Sequence, residues 1–259
     1  MSEHGTWVHA VSRGLSADRL AGITGVGGAP VRAVAAAGLV AVVATVDLAE
    51  YGEEALRRNL ENLDWLTSVA RTHHEVADAV ARLGPVVPAR LATVQLDDAR
   101  VAAMLTEHHD DLTAALDRVE GRIEWGVKAY AVPAPTAPAE PAGAGGGAGR
   151  AYLMRKRARM TATETAERTA AADADRLHAA LAGRSLEARH HPPQDGRLSG
   201  RPEWMVLNGA YLVDADRADD FADLVRELAP RHPGVTVELT GPWPPYSFTA
   251  TDEREAATR

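Results

Sequence analysis

The sequence has no cysteine, which removes disulfides, thiolate nucleophiles and cysteine-ligated zinc or iron–sulfur sites. It also lacks a long apolar run. The longest, Ala33 to Val46, contains Gly38 and falls short of the ~18 residues that a membrane span needs. A surplus of positive charge is missing as well: 36 acids against 28 Lys and Arg leave a net charge of −8. That balance argues against a general binder of nucleic acid or anionic membranes. The opening residues Met1-Ser2-Glu3-His4-Gly5 hold neither a basic n-region nor an apolar h-region, so the expected location is the cytoplasm.

What is present is a globular composition, 46% hydrophobic over 259 residues, enough for one large or two ordinary domains. Thr6 to Ser12 reads as a strand and Ser16 to Leu20 as a short helix. Val31 to Ala36 and Leu39 to Val46 form a hairpin around Ala37-Gly38. From Asn59 onward Leu66, Val69, His73, Val76, Val80 and Leu83 recur by threes and fours, a helix that Gly84-Pro85 ends. Val86 to Val94 is a strand and Asp97 to Arg118 a second helix. These elements make an N-terminal mixed α+β domain over 1–120.

The second half begins with a strand at Arg122 to Val132. Pro133 to Gly149 is nearly all Pro, Ala and Gly and is expected to be a mobile loop at 133–149. A long helix follows at Arg150 to Leu181, then an edge strand at Ser185 to His190, a turn region at Gln194 to Pro202 and a central strand at Trp204 to Val213. A helix at Asp216 to Ala229 and a strand at Val235 to Leu239 complete the order β-α-β-β-α-β. This is the ferredoxin-like split pattern, so the predicted fold class is α+β with a ferredoxin-like domain over 121–248 and a flexible tail at 249–259.

Candidate chemistry is sparse. Gly22 to Gly28 is glycine-rich, but Ala29 and Pro30 stand where a phosphate loop needs Lys and Ser or Thr. His73-His74, His108-His109 and His190-His191 are adjacent pairs, which diverge by about 100° on a helix and do not chelate. His73 lies on the apolar stripe and reads as a core-edge imidazole with one nitrogen hydrogen-bonded. His74-Glu75-Val76-Ala77-Asp78 approaches a zinc-hydrolase motif but carries Asp in place of its second His. The sequence therefore supports no enzyme, and no catalytic, cofactor-binding or metal-binding residue is assigned. Arg150, Arg155, Lys156, Arg157 and Arg159 open the long helix; Glu164 and Glu167 follow, which predicts a solvated, partly self-paired face or a site for an acidic protein.

The most distinctive stretch is Thr240-Gly241-Pro242-Trp243-Pro244-Pro245-Tyr246-Ser247-Phe248. Three prolines and three aromatics exclude an ordinary helix or central strand. Two roles are open: a seal folded over its own domain's core, or a docking surface in which Trp243, Tyr246 and Phe248 anchor a partner. Arg155 and Arg159 are the other partner-binding candidates.

This stretch resembles the C-terminal signature of the gas vesicle protein L/F family (GvpL/GvpF). Gly121-Arg122-Ile123-Glu124-Trp125-Gly126-Val127-Lys128 is similar to the family's "GxxEWGVK" strand, and Tyr152-Leu153-Met154-Arg155-Lys156 to its "YLxxR" helix opening. Pro85 to Val94 resembles "PVxPxxFGT", with Leu91-Ala92 in place of Phe-Gly, and Trp7 to Val11 departs from "YVYGI". The resemblance implies a minor structural or accessory protein of gas vesicles. It would bind the small shell protein and other accessory proteins and assist assembly in the cytoplasm, where gas vesicles give cells buoyancy. A nucleating or wall-bound component is the alternative, and a histidine-based metal hydrolase the reading from another class.

Overall fold

The computed structural model describes residues 3–134, 148–193 and 204–249. Most of the expected mobile loop, the turn region at 194–202 and nearly all of the expected tail lie outside the described residues. Two compact units are present. One holds the chain up to Glu124 together with the segment that starts at Trp243, and the other holds Trp125–Pro242. The sequence reading kept the segment from Trp243 with the second domain to residue 248. The difference has a local cause, described with the candidate site below.

The first unit is built on β1 (His4–Arg13), β2 (Arg32–Ala36) and β3 (Leu39–Asp47), with β4 (Val86–Pro88) and β5 (Val94–Gln95) both pairing with β1. Strand order is β2-β3-β1-β4. The predicted hairpin turn is formed by Ala37 and Gly38, whose φ angles are +51° and +77°, the pair of left-handed residues that a tight hairpin matching strand twist requires.

β1 pairs antiparallel with β3 from His4↔Asp47 to Arg13↔Leu39, and the register shifts between Val8 and Ala10. His9 is thus the extra residue of a β-bulge. The bulge changes the facing parity of β1. Val8 and Val11 pack in a core cluster with Val101, Leu105 and Leu116 of α4 (Asp98–Glu107) and α5 (His109–Val119). Ala10 packs on the other side with Val76 and Val80 of α3 (Leu63–Ala81). A sheet covered on both faces explains why β3 reads as a near-continuous apolar run rather than as alternation.

The single strand expected at Val86–Val94 is two short ones. Around the bulge the backbone detours, and Ala89 N–H donates to His9 O while Val8 N–H donates to Thr93 O. The single helix expected from Asp97 is also two, because His108 sits at φ −102°, ψ 21° between α4 and α5. Two short helices, α1 (Leu48–Tyr51) and α2 (Glu53–Asn59), precede α3 where no helix was predicted.

The second unit contains most of β6 (Arg122–Ala131), α6 (Ala148–Ala182), β7 (Glu187–His190), β8 (Met205–Asp214), α7 (Ala218–Leu228) and most of β9 (Val235–Trp243). Its four-stranded sheet has the order β7-β8-β6-β9, and β7 runs antiparallel to β8 from Glu187↔Leu212 to His190↔Gly209. β9 extends past Leu239, through a cis Gly241–Pro242 peptide, to Trp243. A proline is tolerated there because β9 is an edge strand. The fold is mixed α+β with two antiparallel sheets.

Candidate functional site

The closing segment belongs to the first unit because its polar groups find partners there. Glu124 is buried, and its carboxylate accepts from the Ser247 N–H and the Ser247 hydroxyl, each at 2.7 Å. The Arg118 guanidinium donates to Phe248 O at 3.4 Å. Pro244 and Pro245 are buried, and Phe248 is 0% exposed. The segment is therefore a seal, but not over the domain that its own strand belongs to. Phe248, expected among the partner-binding residues, presents no side-chain surface.

Tyr246 and Trp243 close over His74 of α3. The indole of Trp243 meets the His74 ring edge to face, with centroids 5.0 Å apart at 72°, and remains 38% exposed. Burial, with the charges of Asp78 and Glu124, pushes the Tyr246 phenol up. It stays protonated, and its hydroxyl is hydrogen-bonded with His74 Nδ1 at 3.3 Å. The zinc-hydrolase-like run is thereby dispersed: His74 serves the seal, Glu75 is exposed and Asp78 pairs with Arg82. Among the described residues no group of three or more His, Asp or Glu is placed to hold a metal ion.

Beneath lies a buried polar cluster that sequence reasoning missed. Trp7 Nε1–H donates to His73 Nδ1 at 3.0 Å, and His73 Nε2–H donates to Ala89 O at 3.0 Å. Both His73 nitrogens are thus satisfied, where one was expected. His9 stacks on His73 with ring centroids 5.3 Å apart. Its Nε2 accepts from the Val26 N–H at 3.4 Å, so Nδ1 carries the proton, and this buried N–H has no partner. Burial first, then the neighbouring His73, lowers the His9 imidazole to about 3. Burial likewise lowers His73, against the hydrogen bond to Ala89. Gly25 is required beside this ring, since a Cβ there would lie 2.7 Å from His9 Nε2.

A second histidine cluster sits in the other unit. His178 Nδ1 and the Tyr211 hydroxyl are hydrogen-bonded at 2.9 Å, and the His178 ring meets that of His190 at 4.0 Å. Burial, then the neighbouring His190, lowers His178, while burial raises Tyr211. These groups fasten α6 to β8 and β7.

The surface candidate is the leading half of α6. From Ala170 onward the helix packs, with Ala170, Ala174, Leu177 and Leu181 buried. Before it, residues 152 to 160 are all exposed. Four large apolar side chains stand in this short stretch, Tyr152 at 59%, Leu153 at 64%, Met154 at 65% and Met160 at 57% exposure. Arg155 and Arg159 lie among them, as do Lys156 and Arg157. The expected partial self-pairing is not what is seen: among the described residues, none of these four cations has an ion pair. Some helical arginines elsewhere do pair at i,i+3 or i,i+4, as in Arg57–Glu53, Arg82–Asp78, Arg226–Asp223 and Arg231–Glu227. The aliphatic Leu153, Met154 and Met160 were also missed. Their signal was their position in a helix whose other apolar residues carry the packing stripe.

Comparison with known proteins follows this geometry. The family model for "Gas vesicle synthesis protein GvpL/GvpF" matches residues 5–250. Gas vesicle protein L of Streptomyces sp. (strain CB03234) is 42% identical over 252 residues, covering 96% of this chain and 94% of that protein. Gas vesicle protein F of the same strain is 28% identical over 181 residues, covering 68% and 75%. The crystal structure of gas vesicle protein GvpF from Microcystis aeruginosa superposes with a TM-score of 0.65 at 14% identity, over 95% of this chain and 99% of that one. That from Anabaena sp. PCC7120 gives 0.64 at 14% identity, over 96% and 97%. At these identities the structural matches establish the fold.

Proposed function

The chain belongs to the GvpL/GvpF family of gas vesicle synthesis proteins, and from that premise we propose that it binds the small shell protein and assists vesicle assembly in the cytoplasm. A shell subunit that buries an apolar face in the vesicle wall must have that face masked before it polymerises. The observation that carries the reading is the leading half of α6, where cations without an ion pair among the described residues stand among exposed Tyr152, Leu153, Met154 and Met160. Arg155 and Arg159 are the partner-binding residues on it. Trp243, 38% exposed, with Tyr246 against the same His74 ring, is a separate contact on the first unit, and buried Phe248 serves it only by holding the segment in place. Other gas vesicle accessory proteins are further partners.

The same reading extends to architecture. We take Trp125–Pro242 as a ferredoxin-like domain; its support is the strand order β9-β6-β8-β7, which in chain order is fourth, first, third, second. The functional test is fractionation of vesicle-producing cells, combined with capture of the purified shell protein by the tagged chain. An escort stays in the soluble fraction and captures shell protein. A chain that floats with purified vesicles is a wall-bound or nucleating component instead, and failure to capture shell protein refutes the binding.

A further inference from the structure

The stripe of α6 that packs on its own unit does not end where the packing ends. Leu181, Leu177, Ala174 and Ala170 are buried along it, and the same three-and-four spacing continues through Thr163, Arg159, Lys156, Arg155 and Tyr152. The stripe changes from aliphatic to cationic at Thr163. In this half, Tyr152, Arg159, Thr163 and Glu167 are among the residues that line a hollow of ≈ 630 Å³ whose described lining residues all belong to α6. Among the described residues no opposing element stands against this hollow, where one normally lies 8–10 Å away across a helix pair. Little tertiary packing supports these turns, although packing is what usually stabilises helices.

The charge pattern selects the occupant. Arg150, Arg155, Lys156, Arg157 and Arg159 precede the first acid of the helix, Glu164, in a chain of net charge −8. Five cations gathered within ten residues, with no ion pair to the acids among the described residues, suit carboxylates or phosphates. Three aliphatic side chains among them match an apolar ridge better than a phosphate polymer, which the chain's overall charge repels at long range. Lys156 and Arg157 separate Tyr152, Leu153 and Met154 around the helix, so the apolar groups do not segregate into the single face that membrane insertion needs.

We propose that the leading half of α6 docks an acidic amphipathic helix of a partner protein, with its carboxylates on Arg155, Lys156 and Arg159 and its apolar ridge on Tyr152 and Met160. This deepens the proposed function and rests on its placing of the partner at α6. The probe is a labelled synthetic peptide with glutamate and leucine at helical spacing, compared with a counterpart carrying lysine for each glutamate. Fluorescence anisotropy on the full chain should show the acidic peptide preferred by at least about tenfold, and the preference should fall as salt rises. The double variant Arg155→Glu/Arg159→Glu should reverse the preference with an unchanged melting temperature, since both side chains are exposed.

The proposal is overturned by equal binding of the two peptides, by an unaltered preference in the double variant, or by tighter binding of a 20-nucleotide RNA or phosphatidylserine vesicles. Shell-protein capture separates the two levels. Equal capture by wild type and the double variant leaves the proposed function standing and removes this surface from it. A peptide preference that reverses, in a chain that never captures shell protein, locates the failure in the shell-protein reading.

Discussion

Acid should weaken the first unit through His9, and the size of the effect follows from its surroundings. The imidazole is fully buried against His73, and burial holds it at about 3, against roughly 6.5 in an unfolded chain. A histidine lowered by folding contributes stability that is whole above about pH 6.5. That contribution declines as pH falls toward 3, because the unfolded state takes up the proton first. At pH 5 the two values imply a loss of about 2 kcal/mol relative to pH 7.5, or a fall in melting temperature of roughly 5 °C. The comparison is with His9→Leu, which keeps an apolar side chain of similar size and has nothing to protonate. Carboxylates elsewhere titrate in both proteins, so they cancel in the difference between them. Urea unfolding at pH 7.5 and 5.0 should show the wild type losing about 2 kcal/mol more than the variant over this interval. A difference that stays constant to within ~0.5 kcal/mol, an additivity-level error, would show that His9 is hydrated or partnered in solution and would refute the buried-cluster argument.

Two further outcomes concern the closing segment. Phe248→Ala removes a fully buried ring and should cost about 3–5 kcal/mol, whereas Trp243→Ala, at a side chain 38% exposed, should cost less than half as much in the same thermal melts. Equal costs would mean that the indole is covered in solution. Glu124→Gln preserves shape but turns a double acceptor into a group with one acceptor oxygen facing Ser247, and should cost about 1–3 kcal/mol, read by denaturant midpoint; no change would mean that the Ser247 contacts form with water instead.

What could be read from the sequence was whatever local chemistry decides. The alternation of β1, the valine-rich run of β3, the turn at Ala37-Gly38 and the stop at Gly84-Pro85 each carry their own signal, and each is where it was expected. What could not be read depends on neighbours distant in the chain. The division of Val86–Val94 into β4 and β5 is set by the bulge at His9, some 80 residues earlier, because both strands pair with β1 on either side of it. The break at His108 interrupts an apolar pattern with no proline or glycine to mark it. The helical period placed His73 correctly in the core, but only the fold supplies Trp7 and Ala89 to its two nitrogens. At α6 the charges were visible and the pairing was misjudged: Glu164 and Glu167 lie close enough in sequence to suggest self-neutralisation, yet neither pairs with the cations before it among the described residues.

The stretches that carry the family resemblance divide by burial, and the division separates folding from function. Glu124, within Gly121 to Lys128, accepts both hydrogen bonds from Ser247, within Thr240 to Phe248. These two motifs are therefore halves of one clasp, and the requirement to satisfy a buried carboxylate accounts for both. Tyr152 to Lys156 is different. It too resembles a family motif, but each of its five side chains is exposed, and no packing among the described residues buries them. A surface whose composition is unexplained by burial, hydrogen bonding or ion pairing within its own molecule is best explained by a molecule outside it. The aromatic and proline segment, the most conspicuous feature of the sequence, chiefly holds the first unit together. The plainer basic turn at the head of α6 is the surface on which the proposed binding is tested.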